Sequence, residues 1–200
     1  AEEIGLIVPI GEWVVREACA MAVQWPDNLK VAVNISPAHF CDTALVQTVM
    51  DALAASGLAP NRLELEITET NLLQNSAATL SALHQLRDIG VRIAMDDFGT
   101  GYSSLSYLQS FPFDKIKIDR SFVEKITEDA NSLNIVRAVA ALAKGLGMSS
   151  TAEGVETVEQ LARIKAEGYT EIQGYLVSKP LPAHEVTAML RKLHARPRAA

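Results

Sequence analysis

Cysteine is scarce: Cys19 and Cys41 are the only two in 200 residues, and no CxxC occurs. That argues against a disulfide framework and against a thiolate zinc site, and leaves both cysteines to packing or loop roles in a reducing compartment. The four histidines, His39, His84, His184 and His194, make no HxxxH or HExxH pattern. They read as surface or helix positions, and none is assigned as a ligand. Excess positive charge is missing too. A formal charge of −6 argues against a generic nucleic-acid surface, DNA included. An anionic small ligand is still compatible, because a bound cation inverts the local field. No apolar run approaches the ~20 residues of a membrane span, no basic–apolar signal pattern opens the chain, and no low-complexity linker divides it. Residues 1–7 read as mid-domain sequence. The expected location is the cytoplasm, a longer protein being free to carry an inner-membrane tether.

What is present is ordinary in bulk and unusual in pattern. Apolar residues make up 48% and charged residues 21%, as in a globular protein, and the length suits one domain over 1–200. The tail 196–200 is expected to be disordered. Strand-like segments fall at 30–36, 62–68, 91–96, 115–119, 150–155 and 171–177. Helical patterns lie between them at about 11–24, 43–56, 76–89, 132–146 and 158–167, and a last one at about 183–194. Gly57, Gly90, Gly147 and Gly168 supply left-handed stops. Asp42 and Asn75 are candidate N-caps, and Pro182 opens the last helix. Such alternation implies a parallel sheet covered by helices.

Fully buried parallel strands normally read as continuous apolar runs. These alternate instead. Val31, Val33 and Ile35 oppose Ala32, Asn34 and Ser36; Leu63, Leu65 and Ile67 oppose Glu64, Glu66 and Thr68; Ile116 and Ile118 oppose Lys115, Lys117 and Asp119. One face serves helices. The other carries a polar residue near each strand's C-terminal end: Asn34, Glu66, Asp96, Lys117, Glu153 and Gln173. A TIM-like (β/α) barrel explains this economically, because its site collects side chains from several strand ends. A doubly wound open sheet is the alternative, and it would not bring six strand ends into one pocket.

The densest segment is Arg92–Gly101, where an apolar run ends in Asp96-Asp97 and a glycine-rich loop follows. Buried acids need a positive partner, and a divalent cation such as Mg²⁺ or Mn²⁺ prefers hard oxygen ligands. Asp96 follows the inward row, while Asp97 is expected at the turn, able to bridge to a second metal. Two such ions ~3.5–4 Å apart clamp the attacking and leaving oxygens of a phosphodiester. Asn34 is a turn asparagine before proline or an amide ligand; only its phase favours the latter. Glu66, between apolar neighbours, wants a cation. Glu69 is past the strand end, as suited to holding a loop as to ligation. Lys117 would pair with the metal carboxylates or steady a phosphate or water. Glu153, read as within its strand, is a general base or a metal ligand. Glu156 suits a helix cap. Gln173 could orient a base or sit satisfied in the core.

Taken in order, Val33-Asn34-Ile35-Ser36, Glu66-Ile67-Thr68-Glu69, Asp96-Asp97-Phe98-Gly99-Thr100-Gly101, Lys117-Ile118-Asp119-Arg120-Ser121-Phe122, Ala152-Glu153-Gly154-Val155-Glu156 and Gln173-Gly174-Tyr175 resemble the EAL family of cyclic di-GMP phosphodiesterases over nearly the whole chain. The resemblance implies a β/α barrel that hydrolyses cyclic di-GMP to linear pGpG with two Mg²⁺ or Mn²⁺ ions. It casts Asn34, Glu66 and Asp96 as metal ligands, Asp97 as serving the second metal, and Glu153 as ligand or general base. Lys117 would hold the nucleophilic water or the metal-linked network. Glu69 would fix the loop after Asp97, and Glu156 and Gln173 would support the site from outside. It also implies a homodimer through the loop 97–105 and an upstream sensor or GGDEF domain.

One departure stands out. The tripeptide Glu-Ala-Leu that names the family occurs nowhere here. In the family it lies upstream of the segment matching residues 1–10, with the early barrel strands, one metal-ligand glutamate and a ligand-binding arginine. About six of eight strands are therefore expected. An N-terminally truncated chain, strand donation by a partner and natural degeneration each account for this, and the completeness of the other motifs favours the first. The rival reading in function is a catalytically silent cyclic di-GMP receptor or dimerising module.

Overall fold

The computed structural model describes residues 1–40, 44–68, 76–101 and 105–194, the side chains of 3, 76, 105–107 and 191–194 excepted. The N-caps expected at Asp42 and Asn75, Cys41, Glu69 and the tail 196–200 lie outside the described residues, and so does part of the loop 97–105.

Six parallel strands form one sheet in chain order: β1 (Val31–Asn34), β2 (Leu63–Thr68), β3 (Arg92–Phe98), β4 (Lys115–Ile118), β5 (Ser149–Ala152) and β6 (Glu171–Ile172). The helices are α1 (Ile7–Ala22), α2 (Ala44–Ser56), α3 (Ser76–Asp88), α4 (Leu105–Ser110), α5 (Arg120–Glu124), α6 (Ala130–Gly145), α7 (Val158–Ala166) and α8 (Ala183–His194). The expected alternation is what builds the layers. Leu63, Leu65, Ile67, Ile93, Met95, Ile116 and Ile118 face the helices, none more than 2% exposed. Each such side chain stabilises the fold by about 1.5–3 kcal/mol on burial. The opposite face carries the polar row and is concave. Lys115 Nζ on β4 shows the curl directly, since it reaches Glu64 on β2 at 2.7 Å and Glu171 on β6 at 2.6 Å. In a flat sheet, those strands stand about 9.5 Å away on either side. The six strands are therefore a curled part-barrel.

Several boundaries differ from the sequence reading for local reasons. α1 begins at Ile7 rather than near residue 11. Pro9 falls in its first turn, where the missing N–H has no intrahelical partner to lose. β5 ends at Ala152, so Glu153 stands just beyond the strand rather than inside it. Its N–H still donates to Ile118 O at 3.2 Å, which prolongs the ladder by one rung. β6 keeps two residues of the seven expected. The cap of α7 is Thr157, not Glu156: Thr157 Oγ1 accepts from Gln160 N, and Gln160 Oε1 accepts from Thr157 N at 3.0 Å and Glu156 N at 2.8 Å. Gly57, Gly90, Gly147 and Gly168 all take positive φ, as the stop signals require. His39 is not on the surface. It is 4% exposed, in a 3₁₀ turn Pro37–Phe40, and packs so closely on Gly11 that a Cβ there would overlap its ring. No helix among the described residues is long and apolar enough to cross a membrane.

Candidate functional site

The site is built from the C-terminal ends of the strands. Lys117 is its centre. As the third residue of β4 it points into the concavity, and it is 3% exposed. Its Nζ donates to Glu153 Oε1 at 2.7 Å and Glu66 Oε1 at 2.9 Å, and lies 3.0 Å from Asp96 Oδ1. Three carboxylates from β2, β3 and the end of β5 therefore converge on one ammonium group. Burial alone would lower Lys117, but the surrounding carboxylates, Glu66 first, more than reverse this and hold it protonated well above the usual lysine range. Glu66 and Glu153 move upward, chiefly through loss of water, with Lys117 opposing the shift.

Asp97 enters the site by an unexpected route. β3 continues through it to Phe98 instead of turning. Strict alternation would aim successive residues to opposite faces. Here the pairing of β3 with β4 slips between Met95 and Phe98, and Asp97 adopts φ 54. This is a bulge, which re-aims a side chain at the cost of local regularity. As a result Asp96, Asp97 and Glu153 each offer a carboxylate oxygen, all within 4.8 Å of one another. Asp97 is shifted upward by burial first and by neighbouring Asp96 and Asp119 next. Hard oxygen donors at this spacing suit Mg²⁺ or Mn²⁺. Glu66 is not in that trio and meets it through Lys117.

Asn34 ends β1, opposite Glu66 in register, on the open concave side. Gln173 follows β6; its N–H donates to Ala152 O at 2.8 Å and its carbonyl accepts from Val155 N at 3.0 Å. With Glu66, Lys117 and Thr151 it lines a cleft of about 330 Å³. Glu156 is exposed, with its backbone tied to Gln160. Gly154 holds the turn after Glu153: its φ is +70, and a Cβ there would sit 2.5 Å from Arg120 Cβ. Asp119, in phase with Lys117 in the sequence, instead caps α5 by accepting from Ser121 N at 3.0 Å.

Lys115 and Glu64 share the inward face by their strand phase, and nothing else in the sequence marks a role for them. They form a second ionic layer beneath the first. Lys115 joins Glu64 and Glu171, and Arg92 Nε lies 3.6 Å from Glu64 Oε2. The phase of Lys115, two residues before Lys117, was the available signal.

The family model described as EAL domain matches residues 1–180. The bifunctional diguanylate cyclase/cyclic di-GMP phosphodiesterase MucR of Pseudomonas aeruginosa is 42% identical over 192 residues, which is 94% of this chain and 28% of that protein. A solved structure titled PaMucR phosphodiesterase, c-di-GMP complex, has a TM-score of 0.88 at 42% identity, covering 93% of this chain and 77% of the other. The manganese/cy-diGMP complex of Klebsiella pneumoniae BlrP1 has a TM-score of 0.80 at 35% identity, covering 86% of this chain and 45% of the other. The chain spans about a quarter of the length of the curated relatives it matches. By the extent of the match and the order of its strand-end residues, this chain belongs to the EAL domain family.

Proposed function

We propose that this chain carries the catalytic face of a metal-dependent phosphodiesterase that hydrolyses cyclic di-GMP to linear pGpG. The observation that carries the reading is the convergence of Asp96, Asp97 and Glu153 within 4.8 Å, braced by Lys117. The names of the MucR relative and of the two solved neighbours support the substrate.

Asp96, Asp97 and Glu153 would hold Mg²⁺ or Mn²⁺, with Asn34 and Glu66 adding donors from β1 and β2. Such an ion, when bound, neutralises phosphate charge and lowers the pKa of water. The chain's own residues do the rest. Lys117 keeps Glu66, Asp96 and Glu153 oriented and offsets their mutual repulsion. Glu153, upward-shifted and at the lip of the site, is placed to take the proton of an attacking water. Attack of the water oxygen on phosphorus breaks the P–O3′ bond, and the released 3′-oxygen takes up a proton from solvent. Because pGpG keeps a 5′-phosphate, this is the bond that must break. Gln173 lines the cleft beside the cluster from the β6 side.

The test is chromatography of pGpG formed from cyclic di-GMP with Mg²⁺ or Mn²⁺, comparing the unsubstituted chain with Glu153→Gln. Product that disappears in the variant supports the reading. Nucleotide bound without any turnover in the unsubstituted chain would overturn it in favour of a silent receptor.

A further inference from the structure

Beneath the carboxylate cluster, the concave face carries the second ionic layer. β4 presents Lys115 and Lys117 to one side, and β2 presents Glu64 and Glu66 beside them. The two layers are two residues apart on the same strands, about 6.6 Å along them. The upper layer joins β2, β3, β4 and the end of β5. The lower one joins β2, β4 and β6, and so spans the concavity more widely. Lys115 is 5% exposed and Glu64 3% exposed, whereas Glu171 lies on the short edge strand. Burial is the largest single influence and would raise Glu171, but the hydrogen bond and charge of Lys115, with Lys30 and the Thr151 hydroxyl, together outweigh it and hold this carboxylate below its usual range. Lys30 precedes β1 and Glu171 lies on β6, so charges at both edges of the sheet act on one another.

We propose that Lys115 is a positioning residue: by tying Glu64 of β2 to Glu171 of β6 it sets the curl that brings Glu66, Asp96 and Glu153 round Lys117, and thereby sets the affinity of the cluster for a divalent cation. β6 has only two paired residues, and the backbone bonds that flank them, from Thr170 to Ser150 and from Gln173 to Ala152, hold it to β5 alone; the Lys115–Glu171 bond at 2.6 Å is the tie across to β4 and, through Glu64, to β2. Its effect on the upper layer passes through β2 and β4 themselves, because each contributes one residue to each layer. The inference rests on the metal-site reading above.

The experiment is Mn²⁺ binding to the full chain, read by electron paramagnetic resonance well below the melting temperature, alongside thermal unfolding. Lys115→Met should weaken Mn²⁺ about tenfold, the low end of what supporting residues around metal sites contribute. Lys115→Arg, which keeps the charge and two donors, should recover most of that loss. Glu171→Gln, milder because it leaves the Glu64 bond intact, should weaken Mn²⁺ by roughly threefold and keeps the test usable if Lys115→Met does not fold. A lower melting temperature with unchanged Mn²⁺ affinity in both Lys115→Met and Glu171→Gln would overturn the inference and leave Lys115 a stabilising residue alone. Absence of Mn²⁺ binding in the unsubstituted chain would overturn the metal-site reading itself, and this inference with it.

Discussion

Replacing Lys117 with methionine should turn the stability of the chain into a function of pH. The ammonium donates to Glu66 and Glu153 and touches Asp96, and the four side chains are 4–14% exposed. Water therefore screens little of the loss. Removing one partner from a buried ion pair costs about 3–5 kcal/mol. We expect the lower end, about 3 kcal/mol, because the orphaned carboxylates can take up protons. That relief fixes the sign. Glu66 and Glu153 are already shifted upward with Lys117 present, by burial above all, and losing the lysine shifts them further. A carboxylate raised above its unfolded value costs nothing below that value, about 4.3, and destabilises the fold as pH rises through the folded one. Lys117 itself, raised in the native chain, contributes stability below its unfolded value that is lost only as pH climbs past the folded one, outside the assay window. Urea unfolding followed by circular dichroism should give a variant close to the parent at about pH 5 and short of it by about 3 kcal/mol at about pH 8. A deficit that is the same at both pH values, or absent at the higher one, would refute the claim that Lys117 neutralises these acids.

Two further outcomes follow from parts of the fold away from the site. Arg62, 7% exposed, donates to the carbonyls of Ala22 at 2.6 Å and Leu29 at 2.8 Å, and to those of Trp25 and Pro26, closing the end of α1. Arg62→Ala leaves those acceptors without a donor and should cost about 3 kcal/mol in urea unfolding at neutral pH, with Mn²⁺ affinity unchanged. Cys19 is fully buried and its thiol is pushed up to about 11 by loss of water. In a Cys41→Ser background it should not react with Ellman's reagent in the native chain at about pH 8, and should react at once in denaturant.

How far the sequence revealed this molecule depended on how local each cause was. The alternation in β1 to β4 is a local property and gave both faces of the sheet, with Asn34, Glu66 and Lys117 assigned to the concave one. Asp96 and Asp97 stood out as a pair, but the bulge between them was hidden. It arises from how β3 meets β4, and no residue of the pair encodes that register. Glu153 was recognised and misplaced by one element boundary, because β5 stops at Ala152 while its hydrogen-bond ladder does not. Lys115 had the right phase, yet its partners come from strands two away on either side, which only the curl brings within reach. His39 looked like a surface residue because nothing near it in sequence announces Gly11, which makes room for its ring.

The slip between Met95 and Phe98 also bears on how this chain can vary. One extra residue, counted against β4, is what turns two neighbouring acids toward the same side. Deleting a single residue there would leave every acidic letter but one in place, restore regular pairing, and send the next side chain into the helices. At this point of the chain, counting residues matters as much as naming them. A chain that keeps Asp96 but loses the surplus position would retain the strand and its inward row, and would have no second carboxylate where Asp97 belongs.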